Sequence, residues 1–586
     1  MEPTSPAPTS SGGPAVEVPK AAHSLTLSSG AVFGASLATQ LIGFFASIAF
    51  YKTIGLTADG RILLGTAQLF LLIASSINGV GDLRLGTAYT YYLARGKPPT
   101  DNTSTYLLVR MLMVAAAGII LFGVAPLSID GKQIASAGTN LLSLGIFLTL
   151  PLLWSFSTVY NALFIGLGNS VKAQYPSLVE AIARLPAIVI VALYFPSILG
   201  ITAAYTIGAA ASALYSLPAV LRLLRRYRWS EATRMFRFSW PLMGSLMLSY
   251  LVTNMVPLII AGWIGAQGLT IFLAANGWRI LALSLPAAVA TPLFPYLAGL
   301  HRQEEYERIR GGTWQALRYS AMLLVPGVVA LVTYRSIFLN VFQNAAYAAQ
   351  GSIPLALLVI GAIPLALSQI MQASINSIGR QRLELYITST QVGVLLVAIL
   401  LLMPPGAPLY VSNGLIAGSI AVLASSIAAL ALNTYFMETL IRVHIQPRSI
   451  LGIILSAAAG FLAMSQFNHF LPHNRYFQLA GGVVLGFIAY FAILILIGEL
   501  TRQDVRQLGT SIGFPRWMYS WLARLCWRET TPGLVPVDLS RARGLRPTEL
   551  PETFVGETEM PEIGPLPEEP PHGPPNNGAE APAPRR

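Results

Sequence analysis

The feature that most constrains this chain is a series of fourteen helix-length apolar runs, at residues 28–54, 64–93, 104–127, 140–167, 175–196, 199–221, 238–264, 269–298, 314–333, 354–378, 383–403, 413–437, 449–467 and 479–500. Each is close to the roughly 20 residues that cross the hydrocarbon of a bilayer. In lipid every backbone N–H and C=O must find its partner within the segment, so these runs predict transmembrane helices. The expected fold is an all-α polytopic membrane protein of about 14 transmembrane helices. Charge content agrees, at 11% of residues against roughly 25% in soluble domains.

Loop charge sets the orientation. Arg95 and Lys97, Lys172, the run from Arg222 to Arg237, Arg302 to Arg310, Arg380 and Arg382, and Arg442 and Arg448 occupy alternate loops. The intervening loops hold only Lys52, Arg61, Lys132, Arg335 and Arg475. The positive-inside bias puts the first set, and both termini, in the cytoplasm. The net charge of +12 therefore reads as a cytoplasmic membrane face, with no nucleic-acid partner. The expected location is the cytoplasmic (inner) membrane.

Four matched features argue for an internal repeat: Ile54-Gly55 with Ile264-Gly265, Gly168 with Gly379, Tyr92-Leu93-Ala94 with Tyr296-Leu297-Ala298, and Arg110 with Arg318. Three of the four are offset by about 210 residues, which splits twelve helices into two parallel, pseudo-symmetric six-helix lobes, followed by two C-terminal helices. The expected organisation is a disordered cytoplasmic N-terminus (1–27), an N-lobe (28–222), a basic cytoplasmic linker on the inner leaflet (223–237), a C-lobe (238–437) and helices 13 and 14 (438–500). An interfacial amphipathic segment (501–530), marked by Trp517, Trp521 and Leu525, and a disordered Pro-rich tail (531–586) complete the chain. Residues 1–27 lack a basic n-region, so no cleaved signal peptide is expected. The single cysteine, Cys526, excludes an intramolecular disulfide and is expected in a polar tail.

Charged residues inside apolar spans are costly and mark functional positions. The second span carries Gly81-Asp82-Leu83-Arg84-Leu85-Gly86, the fifth Glu180 and Arg184 ahead of Pro186, and the eighth Arg279. Arg84, Arg184 and Arg279 are candidates to bind an anionic group such as pyrophosphate in a central cavity. Asp82 and Glu180 are candidates for ion coupling or charge pairing, and Glu180 and Arg184 have the spacing to neutralise one another. Arg110 and Arg318 lie about five residues inside their spans and are expected to snorkel to the inner headgroups. Asn254, and Gln369, Gln372 and Asn376 on one helix face, either line a cavity for sugar hydroxyls or bond between helices. No catalytic residue and no cofactor is expected. His469 and His473 lack a third ligand, so no metal site is expected, and no GxxxxGK[ST] loop is present.

The segments IGLTADG after the first span and GDLRLGTAYTYYLARGK closing the second, with Phe238-Ser239-Trp240-Pro241-Leu242 opening the seventh and Trp278-Arg279 in the eighth, resemble the oligosaccharide flippases of the polysaccharide transporter family. That family lies within the multidrug/oligosaccharidyl-lipid/polysaccharide exporter superfamily. Two departures are Arg84, where the family stretch has Gly, and Asn254, in a region where relatives carry Asp or Arg. The resemblance covers about residues 28–500. It implies a two-lobed bundle that alternates between inward- and outward-open states, moving undecaprenyl-diphosphate-linked oligosaccharide to the outer leaflet for cell-surface polysaccharide biosynthesis. It also implies polymerase or glycosyltransferase partners of the same pathway. The alternatives are a lipid II flippase and, in another class, a membrane-embedded glycosyltransferase or polymerase using Asp59.

Overall fold

A computed structural model of the chain describes residues 21–94, 99–124, 128–129, 132–133, 139–167, 169–225, 227–302, 305–378, 380–443, 446–470, 475–506, 520 and 523–529. The helices of the first half are α1 (Ala21–Thr53), α2 (Ala58–Val80), α3 (Leu85–Ala94), α4 (Pro99–Val124), α5 (Thr139–Gly166), α6 (Ser170–Ala173), α7 (Tyr175–Tyr194) and α8 (Ile198–Leu221). Between α4 and α5, β1 (Ser128–Ile129) and β2 (Lys132–Gln133) form a minimal antiparallel pair. The second half comprises α9 (Trp229–Trp263), α10 (Ala266–Arg302), α11 (Tyr306–Thr333), α12 (Arg335–Phe342), α13 (Ala345–Ser377), α14 (Gln381–Leu402) and α15 (Gly414–Leu440). The helices α16 (Pro447–Phe470) and α17 (Arg475–Ile497) follow.

Among the described residues, thirteen helices are long and apolar enough to cross a membrane. The 37-residue α10 occupies the place of the expected eighth span, which completes the fourteen. Side-chain caps start several of them where the chain turns. Thr57 Oγ1 accepts from Gly60 N, Asn344 Oδ1 from Ala346 N, and Asn413 Oδ1 from Leu415 N, satisfying donors that a helix leaves open at its first turn.

Several boundaries differ from those expected. Helix α1 already includes residues 21–27; residues 1–20 lie outside the described residues. The basic linker is not a separate element beyond residue 228, because α9 runs unbroken from Trp229 for 35 residues. Its basic residues sit on exposed faces of a continuous helix, which costs nothing outside the hydrocarbon. The stretch near 334–353, expected as an external loop, contains α12 and the start of α13.

Within the first half α5 packs on α2, α3, α4 and α8, and α7 on α8; within the second, α13 packs on α10, α11, α12 and α15, and α14 on α15. The α16–α17 hairpin rests on α11 and α12 alone among the principal contacts. The halves meet at two levels. At the α1–α2 turn, Thr270 Oγ1 donates to Arg61 O at 2.7 Å, and Asn344 Nδ2 donates to Tyr51 O and Gly55 O at 3.2 and 3.0 Å. Toward the other end of α2, Ser239 Oγ in α9 donates to Arg84 O at 3.1 Å.

Gly65 makes the first of these meetings possible. A Cβ at this position would lie 1.8 Å from Ala266 O and 2.6 Å from Thr270 Oγ1. The nearer obstacle is backbone, so the helices would have to separate. Gly65→Val is expected to destabilise the protein by about 1–3 kcal/mol, the usual range for overpacking. Thermal unfolding in detergent reads this against Gly327→Ala, where the added Cβ meets open space. Equal stability of the two variants would contradict the close approach.

Candidate functional site

The sequence Gly81 to Gly86 does not continue the second span as one helix. Helix α2 stops at Val80 and α3 starts at Leu85, with Leu83 at φ +45° and Arg84 at φ +59° between them. Non-glycine residues in the left-handed region cost on the order of 1–3 kcal/mol each and persist only where surroundings over-determine them. Here the surroundings are a charged network. Asp82 Oδ1 accepts from Arg110 Nη1 at 2.6 Å and from Tyr106 OH at 2.6 Å. Arg110 Nη2 donates onward to Asn78 Oδ1 at 2.5 Å and Thr158 Oγ1 at 3.2 Å. Tyr250 of α9 packs directly on Gly79. Irregular backbone at membrane depth is tolerated where protein buries it, and Leu83 and Leu85 are both buried.

This network corrects the expectation for Arg110. Its side chain is 1% exposed and bonds to three residues rather than reaching for headgroups. Arg318 is likewise corrected: it is buried in α11 and paired with Asp504 at 2.6 Å. Both guanidinium groups find carboxylates within the protein, a nearer source of compensation than the interface. The recurrence of an arginine at the same point of each half was the sequence signal for this, and Tyr106, Asn78 and Thr158 carried no comparable mark.

Glu180 and Arg184 do form the neutralising pair their spacing allows, at 3.2 Å. Trp154 Nε1 donates to Glu180 at 3.1 Å, and the Arg184 guanidinium lies 5.2 Å from the centre of the Tyr205 ring. Helix α7 continues through Pro186. Arg279 is half-buried in α10 and donates only to Asn276 Oδ1 of its own helix, at 3.1 Å. Arg84 is half-buried, and among the described residues its guanidinium has no hydrogen bond or ion pair. No bond joins any two of Arg84, Arg184 and Arg279 among the described residues. Helix α1 separates the last two: Gly43 faces Arg184, and Phe44 stacks edge-on against Trp278, the neighbour of Arg279.

The polar candidates divide. Asn254 is buried on α9, one turn from Tyr250. Gln369 is exposed and Gln372 half-buried, while Asn376 Nδ2 donates to Glu384 of α14 at 2.8 Å, a bond between helices. Asp59 is exposed in the first turn of α2, where an acid suits the helix dipole. Among the described residues no three His, Cys, Asp or Glu side chains gather; His473 lies outside them, as do Gly168 and Gly379.

A bundle of about fourteen long apolar helices among the described residues, with two packed halves and charged side chains held inside them, defines a polytopic α-helical membrane protein. Its fold is similar to that of the lipid II flippase MurJ in an inward closed conformation, with a TM-score of 0.66, 12% identity, and 80% of this chain and 98% of that one covered. It is also similar to an inward-facing multidrug resistance MATE family transporter of the MOP superfamily (TM-score 0.56, 14% identity, 69% and 94% covered). A MOP superfamily transporter from Pyrococcus furiosus matches at a TM-score of 0.51, with 17% identity and 72% and 96% covered. Identities this low show the fold alone. Residues 97–350 match the model of a polysaccharide biosynthesis protein family. No curated protein matches the sequence. That match covers less than half of the chain, and its description agrees with the resemblance carried by the sequence motifs.

Proposed function

We propose that this protein is a flippase moving undecaprenyl-diphosphate-linked oligosaccharide from the inner to the outer leaflet of the cytoplasmic membrane by alternating access. One observation carries the reading. Arg110, Arg184 and Arg318 each hold an acid within the protein, whereas Arg84 and Arg279 lie inside the bundle with no acidic partner among the described residues. Positive charge left unpaired in a membrane is expensive unless an anion visits it. A diphosphate linked to a lipid is an anion that must cross, and arginine presents the fork that phosphate oxygens accept. Arg184 joins this site only if Glu180 releases it. Asn254, Gln369 and Gln372 are the candidates to meet sugar hydroxyls, with Asn376 joining them only when it leaves Glu384. Asp82 and Glu180 are the carboxylates through which an ion could couple. The loop charges support a cytoplasmic position for both termini, and the pathway's polymerase or glycosyltransferases are the expected protein partners.

The likeness to a lipid II flippase over 98% of that chain favours a second reading, in which the cargo is lipid II. Both cargoes carry a polyprenyl diphosphate, so the arginines serve either. Proteoliposomes loaded with fluorescent lipid-linked oligosaccharide or with lipid II separate them. Faster protein-dependent exposure of the oligosaccharide is expected. Movement of lipid II alone would replace the first reading with the second, and movement of neither would remove both.

A further inference from the structure

The two halves treat their matched arginines differently. Arg110 is served by Asp82, from the break in the second span. The residue 208 positions beyond Asp82 is Ala290, and α10 contains no acidic residue at all. Arg318, 208 positions beyond Arg110, nevertheless sits in α11 with its side chain 0% exposed. A buried guanidinium without a counter-charge would cost several kcal/mol. The compensation comes from beyond the last helix.

We propose that residues Gly498–Arg506, held by Ala523–Glu529, are a built-in clamp that completes the second half by supplying the acidic partners of its buried Arg318. Asp504 Oδ2 accepts from Arg318 Nη2 at 2.6 Å, and Asp504 Oδ1 from Tyr319 OH at 2.7 Å. The carbonyl of Glu499 also accepts from Arg318, and the Glu499 carboxylate lies 3.6 Å from Arg318 Nε while accepting from Ser449 Oγ at 2.5 Å. One short stretch thereby ties α11 to α16. A left-handed Gly498, at φ +76°, turns the chain back from α17 toward that position. The turn is then held from the far side. Arg502 N donates to Arg528 O at 2.9 Å, Gln503 N to Glu529 O at 3.2 Å, and Arg502 Nε to Cys526 O at 2.8 Å. Trp527 Nε1 donates to Ile495 O of α17 at 2.8 Å.

Within residues 501–530 the sequence expectation is corrected at Cys526. Trp517 and Trp521 lie outside the described residues, Leu525 is exposed, and Cys526 is fully buried against Val505 and Ala523 rather than lying in a polar tail. With α16 and α17 resting on α11 and α12, the clamp makes the C-terminal hairpin part of the second half. Hairpin and half move together whenever the two halves rock.

Cys526, as the sole cysteine, is a native reporter of the clamp. Burial removes access and also pushes its thiol up, so less of the reactive thiolate is present at neutral pH. Full-length protein in detergent should label slowly with a maleimide. Asp504→Asn should speed labelling by at least about tenfold, since labelling of a buried group follows the opening equilibrium. Arg318→Met alone should also speed it, and the double variant Arg318→Met/Asp504→Asn should label less than the product of the two single effects. Rapid labelling of the unmodified protein would overturn the proposal. So would an unchanged rate in Asp504→Asn, or independent effects in the double variant. Circular dichroism on each sample confirms that helix content is retained, so that global unfolding is not mistaken for clamp opening.

Discussion

Asp82→Asn is expected to destabilise the protein by about 3–5 kcal/mol, the cost of leaving one member of a buried ion pair uncompensated. Arg110 is 1% exposed, and its Nη1 has Asp82 as acceptor at 2.6 Å. Asparagine preserves the shape and one acceptor oxygen but removes the charge. It also weakens the bond from Tyr106 OH and the hold on a backbone with two left-handed non-glycine residues. Strain at Leu83 and Arg84 that the network now offsets would then be free to relax, so the break itself should shift. Thermal unfolding of the purified variant measures the loss. Arg110→Met combined with Asp82→Asn provides the control, since an apolar chain in place of the cation removes the orphaned charge. The double variant should recover much of what the single one loses. An Asp82→Asn protein as stable as the parent would mean that the pair contributes nothing.

Arg279→Gln and Arg84→Gln should behave in the opposite way. Arg279 bonds only to Asn276, three residues earlier in α10, and the Arg84 guanidinium has no protein partner among the described residues. Removing either charge leaves no carboxylate stranded, so stability should hold or rise slightly. Transport should fall steeply. A hydrogen bond to a charged group contributes about 1.5–3 kcal/mol, so losing one such contact to a diphosphate costs roughly 10- to 100-fold in flipping rate. Flipping assays in proteoliposomes, run with thermal unfolding on the same preparations, test the contrast. Normal transport by both variants would remove the arginines from the substrate path. A loss of stability equal to that of Asp82→Asn would show that they are structural instead.

These contrasting expectations turn on partners that one sequence reveals unevenly. Glu180 and Arg184 could be paired from spacing, because both lie on one helix and four residues make one turn. Asp82 and Arg110 could not, since they lie on different helices, 28 residues apart. Depth alone placed Arg110 and Arg318 near the interface; the packing of neighbouring helices put them out of reach of it. The break at Gly81–Arg84 was hidden for a similar reason. Leu83 and Arg84 have no intrinsic preference for the left-handed region, and tertiary contacts hold them there, the bonds to Asp82 and from Ser239 to Arg84 O among them.

By itself the sequence determined the membrane class and the approximate number of spans, and it set the expectations for their orientation by loop charge and for a two-fold repeat. These follow from chain length, hydrophobicity and charge, which act residue by residue and need no knowledge of neighbours. Tertiary structure alone decided which arginines have a carboxylate partner among the described residues and which do not. It also decided that the acids for Arg318 come from Glu499 and Asp504, more than 180 residues away. Ion pairing is a matter of a few ångströms between side chains, and in a bundle those distances are set by which helices pack together. The same fourteen apolar runs could have been packed to leave a different pair of charges open.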